Sequence, residues 1–450
     1  MTVVRVEAAE FSERPVRLRL PFQFGSTEVR ETAEAYCDIT CVIGGREVTG
    51  RAAQLMVPRW FDKRPGLSNE DTIEELRETV RGACRAVRGM EGTAATLTRD
   101  LRAETRRALP SGTPDLASGF GPALVEMAVI DAICRAEDLP FWRAAQADRF
   151  GLIAHCPADL APDILTASLS RIGPPARVSL RHTIGFDAPL TKDAVGADAP
   201  GDGLPVSLDE VVAATGINAF KIKLKGRPED DLARLRAISG VIDRGEGYAV
   251  TLDANEQYAP DAFEDFLKAF QKDVRLKRMR SATRFVEQPF AREVALTEVG
   301  PVVSALPLVI DESDDTEDAF ARALGLGWSG TSIKSCKGVL RALLNRARAD
   351  AAGAILSGED LTCQPGLCWQ QDTAMAAACG VLDVERNGHH FGGGMQGAAD
   401  AEIAESLDLH PDIYARIGGT VTLRIEAGAV RIGSLDRPGF AHAAKATRLV

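Results

Sequence analysis

Ala219-Phe-Lys-Ile-Lys-Leu224 (AFKIKL) is a short β-like run, and the helix-like segment after it carries Leu232, Leu235 and Ile238 on one face. Run and helix together have the pattern of one βα unit. Seven more β-like runs recur about 23 to 40 residues apart, so the eight are Val178–Ile184, Ala219–Leu224, Ala249–Asp253, Arg284–Gln288, Leu308–Asp311, Thr331–Lys334, Ala354–Ser357 and Val381–Glu385. Eight consecutive units favour a closed parallel barrel over an open sheet. The prediction is an α/β protein with a TIM-type barrel.

The residues before the barrel predict a smaller α+β unit. Strand-like stretches lie at Val16–Leu20 and Ala35–Ile43, and Gly44-Gly45 is a turn into Arg46–Thr49. Helical patterns follow: Ser68 and Asp71 have the spacing of a capping pair, and Ala123–Ala136 is a second apolar helix. Strands followed by helices predict a small α+β domain.

The residues after the barrel again have the sequence pattern of β-strands. Thr420–Ile425 and Val430–Ile432, with Ala427-Gly428 between them, predict a hairpin that folds back onto the N-terminal unit. The expected division is a capping domain at 1–150, a barrel at 151–410 and a C-terminal β segment at 411–450. Two stretches, Asp187–Leu204 and Gln271–Ser281, are polar enough to be surface insertions.

Composition narrows the class of protein. Hydrophobic residues make up 45% and charged residues 26% of the 450, which excludes wholesale disorder and coiled coil. The net charge of −11 argues against nucleic-acid and anionic-membrane partners. The longest apolar runs are shorter than the ~18 residues of a membrane span, and Met1–Glu7 lacks the pattern of a signal peptide. Nine scattered cysteines without CxxC predict reduced thiols in a cytoplasmic protein.

Carboxylates stand at the expected carboxyl ends of three successive barrel strands: Asp253, Glu287 and Asp311. That rim is where barrels of this type build active sites. Any one of them alone is explained by a helix cap or an exposed position. Three converging carboxylates without a cation would repel one another. Oxygen ligands without histidine or cysteine indicate Mg²⁺.

Lysines flank the carboxylates on two strands. Lys221 and Lys223 share a face with Lys225 on the second strand, and Lys334 ends the sixth, on the opposite side of the barrel. Adjacent ammonium groups are expected to lower one another's pKa, which makes a neutral lysine accessible near pH 7. Two lysines across a metal-bound carboxylate suit abstraction of the adjacent proton to a metal-stabilised enediolate.

Five motifs in order resemble the enolase superfamily, and within it the muconate lactonizing enzyme subgroup: Phe220-Lys-Ile-Lys, Leu252-Asp-Ala-Asn, Val286-Glu-Gln-Pro, Ile310-Asp-Glu-Ser and Ser332-Ile-Lys-Ser-Cys-Lys-Gly. Pro21–Gly25 and Pro58–Phe61 are similar to the two capping-domain loops that close over the substrate. Pro438-Gly439-Phe440 is similar to the motif that ends the C-terminal strands. The resemblance covers most of the chain.

The resemblance implies a role for each matching residue. Lys223 and Lys334 would be the bases on the two faces, with Lys221 as a modulating neighbour of Lys223. Asp253, Glu287 and Asp311 would bind Mg²⁺, with Asn255, Glu312 and Lys337 in support. Lys225 stands where the subgroup generally has glycine, so Lys225 is an alternative base if the register slips by two residues.

These residues are compatible with three kinds of reaction. Two opposed lysines favour an isomerase, a racemase or epimerase acting on a small-molecule carboxylate. The subgroup also contains cycloisomerases that form lactones, and lyases that form succinylbenzoate by β-elimination. A non-catalytic barrel that serves as a binding module is the alternative of another class. The resemblance further implies a homo-oligomer.

Candidate substrate contacts lie in the capping loops and after the eighth strand. Phe24 and Trp60 belong to the two loops, and Asp383 and Glu385 place two carboxylates on one face of a strand. The pair is close to the Asp-x-Asp that dipeptide epimerases use for a substrate ammonium, but a structural role in salt bridges at the barrel bottom is equally open. The tandem His389-His390 predicts a loop rather than a metal site.

Overall fold

A computed structural model of the chain describes residues 1–243, 247–297, 306–381 and 383–442. The N-terminal unit is built on an antiparallel sheet with the strand order β3-β2-β1-β4. Its strands are β1 (Val4–Phe24), β2 (Thr27–Ile43), β3 (Arg46–Leu55) and β4 (Glu91–Gly92). The predicted strands are therefore present but longer, and Gly44 and Gly45 form the expected turn with φ values of +57° and +77°, which glycine adopts without steric cost.

Helices cover one face of this sheet. They are α1 (Asn69–Ala86), α2 (Ala94–Ala108), α3 (Asp115–Ser118), α4 (Phe120–Ala136) and α5 (Phe141–Gln146). The capping box between Ser68 and Asp71 begins α1 as predicted. Helix α4 packs so closely on β3 that a Cβ at Gly50 would lie 2.2 Å from the Ala128 carbonyl oxygen. The helical stretch Asp115–Ala136 is long and apolar enough to cross a membrane, yet its most apolar 18 residues are buried inside the protein.

The barrel consists of eight parallel strands in sequence order, and it is closed because the last strand pairs with the first. The strands are β5 (Arg177–Ile184), β6 (Ala219–Lys223), β7 (Ala249–Asp253), β8 (Thr283–Glu287), β9 (Leu308–Ile310), β10 (Gly330–Ile333), β11 (Ile355–Gly358) and β12 (Val384–Glu385). Each of the eight predicted runs overlaps one of these strands, with ends that differ by a few residues at most. In the last run Leu382 lies outside the described residues. The TIM-type fold is thus confirmed.

Helices follow the strands on the outside of the barrel. They are α6 (Pro162–Ser170), α7 (Leu208–Thr215), α8 (Pro228–Ile242), α9 (Pro260–Lys272), α10 (Lys277–Ala282), α11 (Arg292–Ala295), α12 (Ala319–Gly325), α13 (Val339–Ala352), α14 (Leu367–Cys379), α15 (Gly388–Phe391) and α16 (Asp400–Leu409). The predicted polar insertion Gln271–Ser281 is helical for most of its length. Its Leu276 and Met279 are fully buried, so these two apolar side chains anchor a stretch that was expected to be solvated.

The C-terminal β segment pairs differently from the prediction. Strand β13 (Tyr414–Ile417) forms the hairpin with β14 (Thr420–Leu423) through Gly418-Gly419. Strand β15 (Ala429–Arg431) instead pairs antiparallel with Arg177–Ser179 at the start of β5, ahead of the residues of β5 that pair with β6 and β12. The tail also contacts the N-terminal unit, where the Phe440 ring stacks on Phe141 at 5.0 Å between centroids. Residues 443–450 of the predicted segment lie outside the described part.

The cysteines depart in one respect from the expectation of reduced thiols. Cys363 and Cys368 form a disulfide, with their Cα atoms 5.8 Å apart. The other seven are free, and six of them are buried. The pair follows the seventh barrel strand. The sequence did not predict it, because the two cysteines are five positions apart and do not form a CxxC motif.

Candidate active site

The carboxyl ends of the barrel strands and two capping loops enclose a small cavity of about 30 Å³, roughly the volume of one water molecule. Nine of the residues predicted to form the site line this cavity: Phe24, Trp60, Lys221, Lys223, Asp253, Asn255, Asp311, Lys334 and Glu385. The structure therefore brings together side chains from the capping domain and from five barrel strands. Of the other predicted site residues, Glu287, Glu312 and Lys337 each contact a member of this group, whereas Asp383 pairs with arginines outside the cavity.

Lys221 is the centre of the ionic network. Its Nζ lies 2.7 Å from Glu359 Oε2, 2.8 Å from Glu385 Oε2, 2.9 Å from Glu287 Oε2 and 3.1 Å from Asp253 Oδ2. Burial lowers the pKa of Lys221, but the four carboxylates outweigh it and hold that pKa well above its usual value. The expectation that neighbouring ammonium groups lower the pKa is therefore wrong for Lys221 in this structure.

Lys223, at the end of the second barrel strand, lines the cavity, and its ammonium group lies near the ring of Phe22. Its Nζ donates to Asp253 Oδ2 at 2.5 Å and to Asn255 Oδ1 at 2.9 Å. Lys225, the alternative base, lies outside the cavity, with its side chain 43% exposed and its Nζ 3.5 Å from Asp187. The strand ends at Lys223, so the alternation that predicts a shared face for all three lysines stops before Lys225.

Lys334 approaches from the opposite side of the barrel, since β6 and β10 are four strands apart in a ring of eight. Its Nζ donates to Asp311 Oδ1 at 2.7 Å and to Glu359 Oε2 at 2.8 Å. Burial lowers the pKa of Lys334, but Asp311 and Glu359 raise it well above its usual value. Lys337 supports the same loop by donating to the carbonyl oxygens of Asp311 and Ser332.

Glu359 is a central residue that sequence reasoning did not assign to the metal site. Its Oε2 is shared by Lys221 and Lys334, while Oε1 accepts from Ser357 Oγ at 2.7 Å and from Arg181 at 3.3 Å. Burial raises the pKa of Glu359, but the three cations hold it well below its usual value. The signal in the sequence that could have found it is the polar run Ser357–Asp360 directly after the seventh strand.

The buried carboxylates fit a hard divalent cation. Oxygens of Glu287, Asp311 and Glu359 lie within 4.8 Å of one another, and all three side chains are buried. Burial and the nearby Glu359 raise the pKa of Glu287 well above its usual value, as expected for carboxylates that crowd one another. Asp253 is next to this cluster and is held by Lys221 and Lys223. An all-oxygen donor set of this kind suits Mg²⁺.

Three residues around the cavity have positive φ values, which residues other than glycine rarely adopt. Asn255 has a φ of +42°, Gln288 +37° and Thr362 +65°. Such conformations persist where the surroundings impose them, and they are frequent at functional sites. Gln288 shows how one is imposed: its Oε1 accepts from the backbone N–H of Asp311 at 2.8 Å and of Ser313 at 3.2 Å. The amide thus fixes the loop that carries Asp311.

The roof of the cavity is apolar and comes partly from the capping domain. Phe22, Phe24, Val57, Trp60 and Leu361 line it. The ring of Trp60 lies 5.1 Å from Lys334 Nζ and that of Phe22 lies 5.9 Å from Lys223 Nζ. Each lysine therefore faces one aromatic ring. Trp60 was expected at the site, whereas Phe22 was not singled out because only its neighbour Phe24 was chosen from the same loop.

Ion pairs fasten the second capping loop to the barrel rim. Lys63 Nζ contacts Glu256, Glu312 Oε1 at 3.3 Å and the carbonyl oxygen of Asn255 at 3.1 Å. Glu312 also accepts from Asn255 Nδ2 at 3.2 Å. Glu312 is thus a contact for the capping loop. Arg292 adds two bonds from the barrel to the carbonyl oxygens of Trp60 and Phe61, both at 3.2 Å.

Asp383 and Glu385 separate into two environments. Glu385 reaches the cavity and contacts Lys221. Asp383 pairs with Arg181 Nη1 at 2.5 Å and with Arg284, which is near the amino-terminal end of β8. The structure therefore corrects the expected substrate contact of Asp383 in favour of the open alternative, a salt bridge low in the barrel, because both carboxylate oxygens are taken by arginines.

Comparisons with known proteins agree with this geometry. A sequence model described as enolase C-terminal domain-like matches residues 204–439. No curated protein sequence matches the chain. Solved structures with the same fold include the L-Ala-D/L-Glu epimerase of Bacillus subtilis, at 17% identity and a TM-score of 0.63, covering 99% of this chain and 100% of that one. The muconate lactonizing enzyme of Pseudomonas fluorescens follows at 15% identity and a TM-score of 0.64, covering 98% and 96%.

A third solved structure is a dipeptide epimerase from Enterococcus faecalis complexed with Mg and the dipeptide L-Leu-L-Tyr. It has 15% identity and a TM-score of 0.64, and the match covers 97% of this chain and 99% of that one. At these identities the likeness establishes the fold, and the chemistry rests on the residues of the chain itself.

Proposed function

Because the chain belongs to the enolase C-terminal domain-like family, we propose that it is a Mg²⁺-dependent isomerase that transfers the α-proton of a small-molecule carboxylate, as a racemase or epimerase. The observation that carries this proposal is the position of two lysines on opposite sides of one cavity. Lys223 ends the second strand of the barrel and Lys334 follows the sixth, and both line the cavity together with Asp253 and Asp311.

Mg²⁺ would be held by carboxylates of the cluster, from Asp253, Glu287, Asp311 and Glu359. When bound, the cation would offset the charge of these carboxylates and of the substrate carboxylate, which lowers the pKa both of the α-proton and of the surrounding lysines. Two solved structures of this fold contain magnesium, the Enterococcus faecalis epimerase and an enolase from Bradyrhizobium complexed with mandelic acid.

The two lysines divide the proton transfer between them. A substrate whose α-carbon lies between Lys223 and Lys334 presents its proton to one lysine and its opposite face to the other. One lysine takes the α-proton and the other returns a proton from its own side, which inverts the configuration. Lys221 is fully engaged with four carboxylates and serves to fix their positions.

The lining of the cavity favours a substrate with an apolar group next to its carboxylate. Phe22, Phe24, Val57, Trp60 and Leu361 supply an apolar roof. The carboxylate of Asp383, which would be needed to bind a substrate ammonium, is paired with Arg181 and Arg284 instead. We therefore propose an α-substituted carboxylate with an aromatic or aliphatic group as the substrate class, ahead of an unmodified dipeptide.

Cycloisomerisation is the second candidate, since it needs the same cation site and one lysine. The two candidates differ in their use of the second base. A racemase needs both Lys223 and Lys334, whereas a cycloisomerase uses one of them for proton transfer.

The decisive experiment follows the exchange of a substrate α-proton with D₂O, measured by ¹H NMR on a panel of α-aryl and α-alkyl carboxylates, N-acyl amino acids, dipeptides and lactones. We expect Lys334→Ala to abolish exchange from the enantiomer whose proton faces β10, while Mg²⁺ binding measured by calorimetry is retained. Lys268→Ala, an exposed lysine on α9, is the matched control and should exchange like the wild type. Persistent exchange from both enantiomers in Lys334→Ala would contradict the two-lysine mechanism.

We also propose a cytoplasmic location, from the free and mostly buried cysteines, and a homo-oligomeric state, from the resemblance of the motifs. Sedimentation of the purified protein measures the oligomeric state directly.

A further inference from the structure

A second cavity, of about 870 Å³, lies apart from the lysine cavity, on the side of the barrel where the last strand pairs with the first. Three segments build its walls: the polar insertion Asp187–Leu204, helix α7 and the hairpin of β13 and β14. Its size is within the range of pockets that hold small organic molecules. The sequence predicted the insertion as a surface excursion, and the structure shows it as one wall of this cavity.

The walls of the cavity are mainly apolar. Val195, Leu204, Ala214, Leu423 and Ile425 line it, and Ile417 stands at its rim with 40% of its surface exposed. Side chains of this kind bind a ligand through burial of its apolar surface, at about 25 cal/mol per Å². An exposed apolar rim is consistent with entry from solvent.

The charged groups of the cavity are already paired with one another. Arg19 Nε lies 2.6 Å from Asp202 Oδ2, and Arg19 Nη1 donates to the carbonyl oxygen of His390 at 2.8 Å. Lys192 Nζ lies 3.8 Å from Glu210. An ionic ligand would therefore find no uncompensated partner among these groups, which excludes the carboxylates that the lysine cavity is built to take.

Two neighbouring histidines, His389 and His390, line the cavity. The His390 side chain is 7% exposed and its ring packs edge-on against the rings of His182 and Phe391. Among the described residues we find no hydrogen bond to the ring nitrogens of His390, and Nδ1 of His389 is also without one. Burial and the neighbouring His182, His389 and Arg19 lower the pKa of His390 well below its usual value. The imidazole is therefore neutral at pH 7, and it can donate or accept one hydrogen bond.

We propose that this cavity is a binding site for an uncharged, mainly apolar small molecule whose one polar group, a carbonyl or a hydroxyl, bonds the ring of His390. The site is separate from the lysine cavity but is joined to its wall by aromatic contacts. The His390 ring packs on Phe391 at 4.9 Å, and Phe391 packs at 4.7 Å on Phe22, which lines the lysine cavity.

The test uses Nile red, an uncharged planar dye with a ring carbonyl, titrated against the full-length protein by fluorescence. We expect saturable binding of one dye per chain. Ala214→Trp fills the cavity from an exposed position of α7 and should weaken binding at least tenfold, and Ile417→Asp at the rim should weaken it severalfold. Ala167→Trp, at an exposed position of α6 outside the cavity, is the matched control and should keep Kd within twofold.

Three further arms separate the alternatives. Trp60→Phe alters the roof of the lysine cavity and should leave the Kd of the dye unchanged. An anionic naphthalene sulfonate dye should bind at least tenfold more weakly than Nile red. The mass of the protein by light scattering should be the same for the wild type and Ala214→Trp.

Each opposite result overturns the proposal. Equal dye binding by Ala214→Trp, Ile417→Asp and Ala167→Trp places the dye elsewhere, and loss of binding in Trp60→Phe places it in the lysine cavity. Tight binding of the anionic dye contradicts the charge argument. A smaller mass for Ala214→Trp identifies the cavity as an interface between copies of the chain. Because no arm uses catalysis, failure here is distinct from failure of the proposed function.

Discussion

Glu359 is the residue on which the ionic network of the site converges, because it contacts cations from three strands: Lys221, Lys334 and Arg181. The carboxylate of Glu359 is buried, and so are the charged groups of these three partners. Removing one charge from such a buried cluster leaves the others uncompensated, which is strongly destabilising. This residue should therefore matter for stability as well as for the cation site.

We expect Glu359→Gln to lower the free energy of unfolding by about 3 kcal/mol, because three buried cations lose a carboxylate while the shape of the side chain is kept. Urea denaturation followed by circular dichroism measures this change. Glu70→Gln is the matched control, since Glu70 pairs with Arg77 at the surface with 72% of its side chain exposed. That control should change stability by less than about 1 kcal/mol. Equal effects of the two substitutions would show that the network does not depend on Glu359.

The capping loop after β3 covers part of the lysine cavity with Val57 and Trp60. The cavity of about 30 Å³ is smaller than the pockets that hold small organic molecules, so we expect the roof to move when a substituted carboxylate enters. The ion pairs of Lys63 with Glu256 and Glu312 hold this loop on the rim. We therefore expect the loop to act as a lid that these ion pairs fasten.

We expect Lys63→Met to loosen the lid, which should raise the rate of amide hydrogen exchange in residues 57–64 at least severalfold without a comparable change in the barrel strands. Hydrogen exchange followed by mass spectrometry measures this directly. Lys268→Met is the control, because Lys268 makes only exposed ion pairs on α9. Unchanged exchange in residues 57–64 of Lys63→Met would mean that Arg292 alone holds the lid.

The elements also show which parts of the structure were accessible from sequence. Barrel strands were predictable because apolar runs of similar length recur at the spacing of βα units, and the second to sixth runs end at or beside a charged residue. The partner of the C-terminal strand was not predictable, since Val430 is equally suited to a hairpin with Thr420–Ile425 and to the edge of β5. The alternation of apolar and polar residues predicts a strand, but it does not predict which strand it pairs with.

The same limit applies to the candidate site. Asp253, Glu287, Asp311 and Lys334 stand directly at strand ends, so their convergence follows from the barrel alone. The ionic contacts of Glu359 with Lys221 and Lys334 exist only once the barrel closes. Asp383 and Glu385 were expected to share a face, but β12 contains only Val384 and Glu385, so Asp383 lies before the strand and turns to the arginines below.

At the scale of the whole molecule, buried histidines make stability depend on pH. Burial lowers the pKa of His182 to about 3 and that of His389 to about 4. In the unfolded chain these groups take up a proton near pH 6.5. Between about pH 6.5 and the folded values, the unfolded state binds more protons than the folded state. Stability is therefore fully present above pH 6.5 and is lost as the pH falls through this window.

We expect His182→Gln to reduce the pH dependence of the unfolding free energy between pH 6 and 4 by about 1.4 kcal/mol per pH unit, which is the contribution of one buried neutral histidine. Urea denaturation at several pH values measures the slope. His155→Gln, at an exposed position, is the control and should leave the slope unchanged. An unchanged slope in His182→Gln would show that His182 is protonated within the folded protein.

We propose that the buried carboxylates hold a divalent cation that the lysines need for proton transfer. The rate of α-proton exchange with D₂O on an α-substituted carboxylate tests this directly when it is measured as a function of Mg²⁺ concentration after treatment of the protein with EDTA. We expect no exchange without the cation and a rate that saturates with one Mg²⁺ per chain. Exchange at full rate in EDTA, or no exchange with any carboxylate at saturating Mg²⁺, would contradict it.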